Sequence, residues 1–285
     1  MKPATRGIVT RRNFLRLMAA GTTGAFADAL WIEPGWLTVT RCEVPCKGLP
    51  AGLDGLRVGL LADLHFEPDR DDALVEEAIA RVNAEKLDLV LLGGDYVTSS
   101  SSVLVPLARI LEKARAAHGV FAVMGNHDGW NAGRPLTRRI FEKSGISFLI
   151  NQNSQLHLKG EKLAIAGTDF VWRGKPDPEA TLKGIAKDTP VLALVHEPDY
   201  FDDMVARRDI MLQVSGHTHG GQCRVPVAGY APAKVKYGEK YIYGHHASGN
   251  SGLFVTRGIG TSGLHVRFAC PPELAILTLR AKAVA

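Results

Sequence analysis

The chain has 285 residues, 46% of them hydrophobic and 22% charged, which suits one globular domain with a large core. Its formal charge of +5 and pI of about 9.0 would favour a polyanionic partner, but the excess sits in residues 1–27, where Lys2, Arg6, Arg11, Arg12 and Arg16 meet no acid. Without those five, 29 basic residues balance 29 acidic ones, so net charge lends no support to polyanion capture and no nucleic-acid partner is expected.

The leader reads as an export signal. Thr10-Arg11-Arg12-Asn13-Phe14-Leu15-Arg16 precedes a mildly apolar stretch over 17–26, and Ala25-Phe26-Ala27 has the small-x-small form of a cleavage site. The segment resembles a twin-arginine signal. That resemblance implies the twin-arginine export machinery as a partner, cleavage after Ala27, and a periplasmic location or one on the outer face of the cell membrane. Gly21, Thr22, Thr23 and Gly24 dilute the apolar stretch, so no transmembrane helix is expected to persist after processing. The chain thus divides into a signal at 1–27, a lead-in segment at 28–54 with no predicted element, and one domain at 55–285. Cys42, Cys46, Cys223 and Cys270 are too few for a disulfide-built scaffold, and their spacing assigns no pairing.

Strand and helix alternate through the first two thirds. Residues 56–62 have a buried-strand pattern, 72–86 a helix with Leu74, Val75, Ala78, Ile79 and Val82 on one face, and 87–92 a second strand, together a βαβ unit. A helix over 103–117 stops at Gly119, and 120–124 is the next strand. Short strands follow at 155–158 and 163–166, a weak helix at 178–187, then strands at 191–195 and 210–214. After Gly220 the chain is rich in Gly, Pro and Tyr, with strands at 253–256 and 274–279 and no helix signal. Parallel βαβ units followed by β-rich sequence predict an α/β fold of two packed sheets flanked by helices.

Five polar clusters punctuate the strand ends: Asp63-Leu64-His65, Gly93-Gly94-Asp95, Gly125-Asn126-His127-Asp128, Val195-His196-Glu197 and Gly216-His217-Thr218-His219. Asp63 and His65, two apart, can reach one ion, although an isolated Asp-x-His is commonly turn chemistry. Asp95 follows glycines that permit a tight turn, and its two carboxylate oxygens can bridge neighbouring cations. Asn126 offers a neutral carbonyl oxygen. His127 can stand beside the metals as a proton donor to a leaving oxygen, with Asp128 orienting it or stabilising its protonated form. A lone His196 would read as a satisfied core histidine, but His217 and His219 at a strand end can place two imidazoles on adjacent ions. Cys223 offers a soft sulfur beside an otherwise hard ligand set, so packing is its expected role.

Taken in order, the five motifs resemble the calcineurin-like metallophosphoesterases. The late segment Arg257-Gly258-Ile259-Gly260-Thr261, followed by Pro271-Pro272-Glu273, is similar to a subgroup of bacterial envelope phosphoesterases. The resemblance implies a four-layer αββα sandwich with two mixed β-sheets and a dinuclear metal site at the strand ends. Asp63, His65, Asp95 and His219 would hold one ion, and Asp95, Asn126, His196 and His217 the other. His127 would be the catalytic histidine outside the ligand set. The implied reaction is hydrolysis of a phosphodiester or phosphomonoester by a metal-bridging hydroxide, with His127 backed by Asp128 as proton donor. Mixed Asp, Asn and His ligation fits two Mn, Fe or Zn ions by hardness, and the resemblance leans to Mn or Fe. The export signal points to a lipid- or cell-wall-linked phosphoester. Pyrophosphate hydrolysis of a UDP-acylglucosamine-type lipid A precursor, and a non-catalytic metal- or phosphate-binding envelope protein, are the alternatives. Trp130, Trp172 and Tyr230 are candidates for a substrate groove, and Arg134, Arg173 and Arg257 for a phosphate contact.

Overall fold

The structure, a computed structural model, describes residues 10–232 and 234–282; Lys2 and Arg6 of the leader lie outside them. In chain order it runs α1 (Arg11–Ala27), β1 (Thr38–Lys47), β2 (Arg57–Leu61), α2 (Asp72–Ala84), β3 (Leu89–Leu92), α3 (Leu104–Leu111), β4 (Val120–Ala122), α4 (Asn126–Asn131), α5 (Arg134–Lys143) and β5 (Ser147–Phe148). The second half contains β6 (Gln152–Leu158), β7 (Glu161–Gly167), α6 (Pro178–Leu182), β8 (Val191–Leu194), α7 (Phe201–Val205), β9 (Leu212–Ser215), β10 (Gly244–Ser248), β11 (Ser251–Val255) and β12 (Glu273–Lys282). Two six-stranded mixed sheets result, ordered β1-β12-β2-β3-β4-β5 and β10-β11-β9-β8-β7-β6. The expected αββα sandwich is the observed one.

Alternation explains the layers. In each sheet, residues two apart along a strand share a face. Val58, Leu60, Leu89 and Leu91 meet Ile165, Leu192, Leu194 and Val214 in the apolar layer between the sheets. Val90 and Leu92 face outward onto Val75, Ile79 and Val82 of α2 and Leu104, Leu107 and Leu111 of α3. Ala164, Ala166, Val191 and Ala193 form the thinner outer layer against Met204 of α7.

Three differences from the sequence expectations have local causes. The lead-in segment supplies β1, paired in parallel with β12 over ten residues, so the sandwich takes in part of 28–54. Its polar residues and Pro45 suit an edge strand, which hid it from a search for buried runs. The helix predicted over 103–117 ends six residues early because the amides of Ala117 and His118 donate to the carbonyls of Leu87 and Asp88, drawing the chain toward β3. Helix α5 was not anticipated: its core contacts are few, with only Thr137 and Phe141 buried, and Pro135 sits in its first turn. Among the described residues no helix is long and apolar enough to cross a membrane.

Candidate metal centre

The parallel strands β2, β3 and β4 of one sheet and β8 and β9 of the other run into the five polar clusters at their carboxyl ends. Just past these ends, Asp63, His65, Asp95, His217 and His219 all adopt left-handed φ, between 40° and 71°. Non-glycine residues rarely hold this conformation, and a set of five facing one crevice stores strain where side chains must converge. The loops also touch at glycines. A β-carbon on Gly125 would stand 2.2 Å from the Asp95 Oδ1, and one on Gly216 would stand 2.4 Å from the Asp63 Oδ2. Neither position accepts a side chain without moving a carboxylate.

The seven sequence-predicted ligands come together, all nearly inaccessible to solvent. Three groups have donor atoms within 4.8 Å of one another: Asp63, His65 and His219; Asp95, His196 and His217; and His65, Asp95 and His127. Asp95 Oδ2 lies 3.2 Å from His196 Nε2 and 3.6 Å from His65 Nε2, between the first two groups. Asn126, buried at the start of α4, lines one cavity with Asp95, His217 and His219.

Backbone carbonyls set which ring nitrogens face inward. His196 Nδ1 donates to the Gly93 carbonyl at 2.7 Å and His217 Nε2 to the Lys236 carbonyl at 2.8 Å, leaving the other nitrogen of each ring with a lone pair. His219 Nε2 and His65 Nε2 face each other at 3.2 Å. The amide of His217 donates to Asp63 Oδ1 and Oδ2 at 2.8 and 3.0 Å.

Burial holds His65 down to about 4 and His217 to about 3, and pulls His219 well below the ordinary histidine range, so these three imidazoles are neutral. Burial pushes Asp63 up to about 7 against the pull of His196. At Asp95 burial acts upward too, but the charge and hydrogen bond of His196 outweigh it and hold the carboxyl well below the usual range. At His196 the Asp95 charge overcomes burial and raises the imidazole above the ordinary histidine range. Asn126 Oδ1, His196 Nε2 and His219 Nδ1 are buried with no hydrogen-bond partner among the described residues. Orphaned inward donors of this kind, mixed oxygen and nitrogen, fit hard to borderline divalent cations.

Asp128 requires a correction. It does not bond His127. Its Oδ2 accepts the amides of Asp95 and Gly125, both at 2.9 Å, and its Oδ1 accepts those of Tyr96 and Val97 at 2.8 and 3.1 Å. Burial and the nearby Asp95 charge push the carboxyl upward, while the amides oppose them. Asp128 is therefore a clamp joining the loop after β3 to the loop after β4, and adjacency in sequence had suggested the wrong partner. The partner of His127 is the Thr98 carbonyl, 3.0 Å from Nδ1, and the His127 amide donates to Asp95 Oδ1 at 2.8 Å.

A cavity of about 370 Å³ opens over the cluster, lined by His127, Trp130, Trp172, Gln222, Lys234 and Ser262 among others. Trp130 and Trp172 thus stand where a groove was anticipated; the Trp130 indole donates to the Trp172 carbonyl at 3.1 Å, and the ring centroids are 4.9 Å apart. Tyr230 and Cys223 do not line this cavity. Arg134 is bound to Asp169 and Arg257 to Glu273, so neither is free for a phosphate, and Arg173 lies over the Trp130 ring at 6.0 Å. The four cysteines are unpaired. Sequence reasoning missed Lys234, which lies in a loop without motif, and Arg267. The Arg267 guanidinium is wholly buried and donates to the carbonyls of Gly258, Gly260 and Cys270, while the amide of Gly260 donates to the Asp63 carbonyl at 2.7 Å.

Residues 56–221 match the family model described as calcineurin-like phosphoesterase. Phosphodiesterase YaeI of Escherichia coli (strain K12) is 34% identical over 296 residues, covering 95% of this chain and 100% of that protein. The uncharacterized metallophosphoesterase YkuE of Bacillus subtilis (strain 168) is 31% identical over 288 residues, covering 95% of this chain and 98% of that one. A dimetal phosphatase from Danio rerio shares the fold, with a TM-score of 0.50 at 12% identity over 80% of this chain and 93% of that chain. With more than half the sequence matched and the five clusters assembled at one crevice, the chain belongs to the calcineurin-like phosphoesterase family of dinuclear, metal-dependent phosphoric ester hydrolases.

Proposed function

We propose that this protein is an exported hydrolase of a phosphodiester or phosphomonoester carried by an envelope lipid or cell-wall polymer. One ion would be held by Asp63, His65, Asp95 and His219, and the other by Asp95, Asn126, His196 and His217. The placement of Asp95 Oδ2 between His65 and His196 carries this division. Two such cations, Mn or Fe by family resemblance and Zn by ligand hardness, supply Lewis acidity at the phosphoryl oxygens and a deprotonated water near neutral pH. The protein positions the rest. Lys234 and the Trp130–Trp172 pair form the wall against which the ester is held, and His127 faces it from the metal side. With Nδ1 donating to Thr98, His127 keeps Nε2 for the leaving oxygen.

His127→Ala is expected to lower turnover by about 10²–10⁴-fold, the usual share of general acid catalysis, while metal content stays at that of the parent. Metal analysis beside steady-state kinetics checks this; loss of metal in His127→Ala would make it a ligand. The reaction class is tested with bis-p-nitrophenyl phosphate, lipid and nucleotide phosphoesters and a UDP-acylglucosamine, each with Mn, Fe and Zn added separately. A metal-replete protein inert toward the whole panel would replace the hydrolase by a binding protein. Export and cleavage after Ala27 rest on the paired arginines and the Ala-Phe-Ala site, and N-terminal sequencing of the extracytoplasmic fraction tests both.

A further inference from the structure

Beside the metal cavity lies a surface that hydrolysis does not use. The loop from Gln222 to Gly238 closes on itself through the Val225 amide donating to the Tyr230 carbonyl at 2.8 Å, and it is held to the next loop by the Arg224 amide on the Phe268 carbonyl, also 2.8 Å. Its tip projects Val225, Val227 and Tyr230 into solvent. Val227 is fully exposed at φ +67°, the centre of a tight turn in which the Ala228 amide donates to the Pro226 carbonyl at 2.8 Å. Leu264, 78% exposed, stands on the neighbouring loop.

This apolar edge continues into the N-terminal segment. Leu17, Met18 and Phe26 of α1 and Leu30 line a second cavity of about 840 Å³ together with Leu264 and Phe268. No residue of α1 is buried. The stretch that would survive cleavage after Ala27 is pinned independently of α1: the Arg267 amide donates to the Ala29 carbonyl at 3.1 Å, and Glu33 accepts the amides of Ala269 and Cys270. That stretch exposes Trp31, Ile32 and Trp36. Exposed apolar residues on this scale mark an interaction face.

Charge selects the occupant. Arg224, Lys234 and Lys236 lie in the 222–238 loop, which contains no acid, and none occurs between Gly258 and Pro272 either. Apolar tips flanked by bases, with tryptophans alongside, match the interface of an anionic bilayer, where rings and aliphatic groups enter the headgroup layer and bases meet lipid phosphates. We infer that the edge formed by the 222–238 loop, Leu264 and the Trp31–Trp36 segment, all of which outlast cleavage after Ala27, docks on an anionic lipid bilayer. Because Gln222, Lys234 and Ser262 belong to both this edge and the metal cavity's wall, docking sets the cavity mouth against the lipid headgroups. What the cavity does there rests on the hydrolase reading; the docking itself does not.

Flotation of the full chain with phosphatidylcholine vesicles, with and without about one quarter phosphatidylglycerol, tests it. The protein is expected to float with the anionic vesicles and to be released by high salt. Val227→Asp combined with Tyr230→Ser is expected to weaken capture about tenfold or more while turnover of bis-p-nitrophenyl phosphate stays at the parent value, since neither residue lines the metal cavity. The proposal is overturned by parent protein that stays soluble beside anionic vesicles, or by a loop variant that floats like the parent. A dimer by light scattering without vesicle capture overturns it in favour of a second copy of the chain.

Discussion

Replacing Asp95 with alanine removes both metal ions and phosphoester turnover together. The carboxylate is the one side chain between the two ligand groups, with Oδ2 at 3.2 Å from His196 and 3.6 Å from His65 and Oδ1 accepting the His127 amide at 2.8 Å. In the proposed arrangement its loss would take a ligand from each ion, remove the charge that offsets their repulsion, and free the backbone at His127. Turnover is expected to fall by more than about 10³-fold, several kcal/mol of lost charge stabilisation. Elemental analysis of the purified variant checks the metal half, and Asp95→Asn separates charge from shape. A variant that kept two ions per chain would show that Asp95 is not the bridge.

Asp128→Ala is expected to cost about 3–5 kcal/mol of folding stability, a large part of the roughly 5–15 kcal/mol that holds a domain folded. Four buried amides, those of Asp95, Tyr96, Val97 and Gly125, would lose their only acceptor at once. Each orphaned donor costs about 1–3 kcal/mol, moderated by relaxation and entering water. Denaturant unfolding of the metal-free protein measures the loss, with an unchanged slope marking it as a native-state effect. Asp128→Asn keeps an acceptor but turns an amide donor toward backbone N–H groups, so an intermediate loss is expected. If Asp128 served His127 instead, both variants would shift the pH–rate profile and leave stability unchanged.

The convergence of the candidate ligands was legible because metal chemistry restricts residue type and strand ends restrict position. Asp63, His65, Asp95, Asn126, His196, His217 and His219 each follow an apolar run, and each strand of such a sheet delivers its last residues to the same edge. The roles of their neighbours were not legible. Asp128 adjoins His127 in sequence, yet the helical turn at α4 sends the two side chains to different partners, one to backbone amides and the other toward the cavity. Strand β10 was similarly hidden. Gly-His-His-Ala-Ser has no apolar pattern, and it becomes a strand through pairing with β11 across the short Gly249-Asn250 turn.

Periodicity, glycine placement and hard-ligand residues in the sequence were enough to predict two packed sheets, the helix between β2 and β3 and a polar cluster at each of five strand ends, because these are local properties of each segment. Only the tertiary structure decided what is non-local. It showed that Asp128 clamps two loops through their amides, that Lys236 and Gly93 aim the imidazoles, that Arg267 braces the loop under Asp63, and that β1 belongs to the sandwich. Each of those depends on contacts between segments far apart in the chain, made through backbone atoms that every residue carries, and so they leave no signature in residue identity.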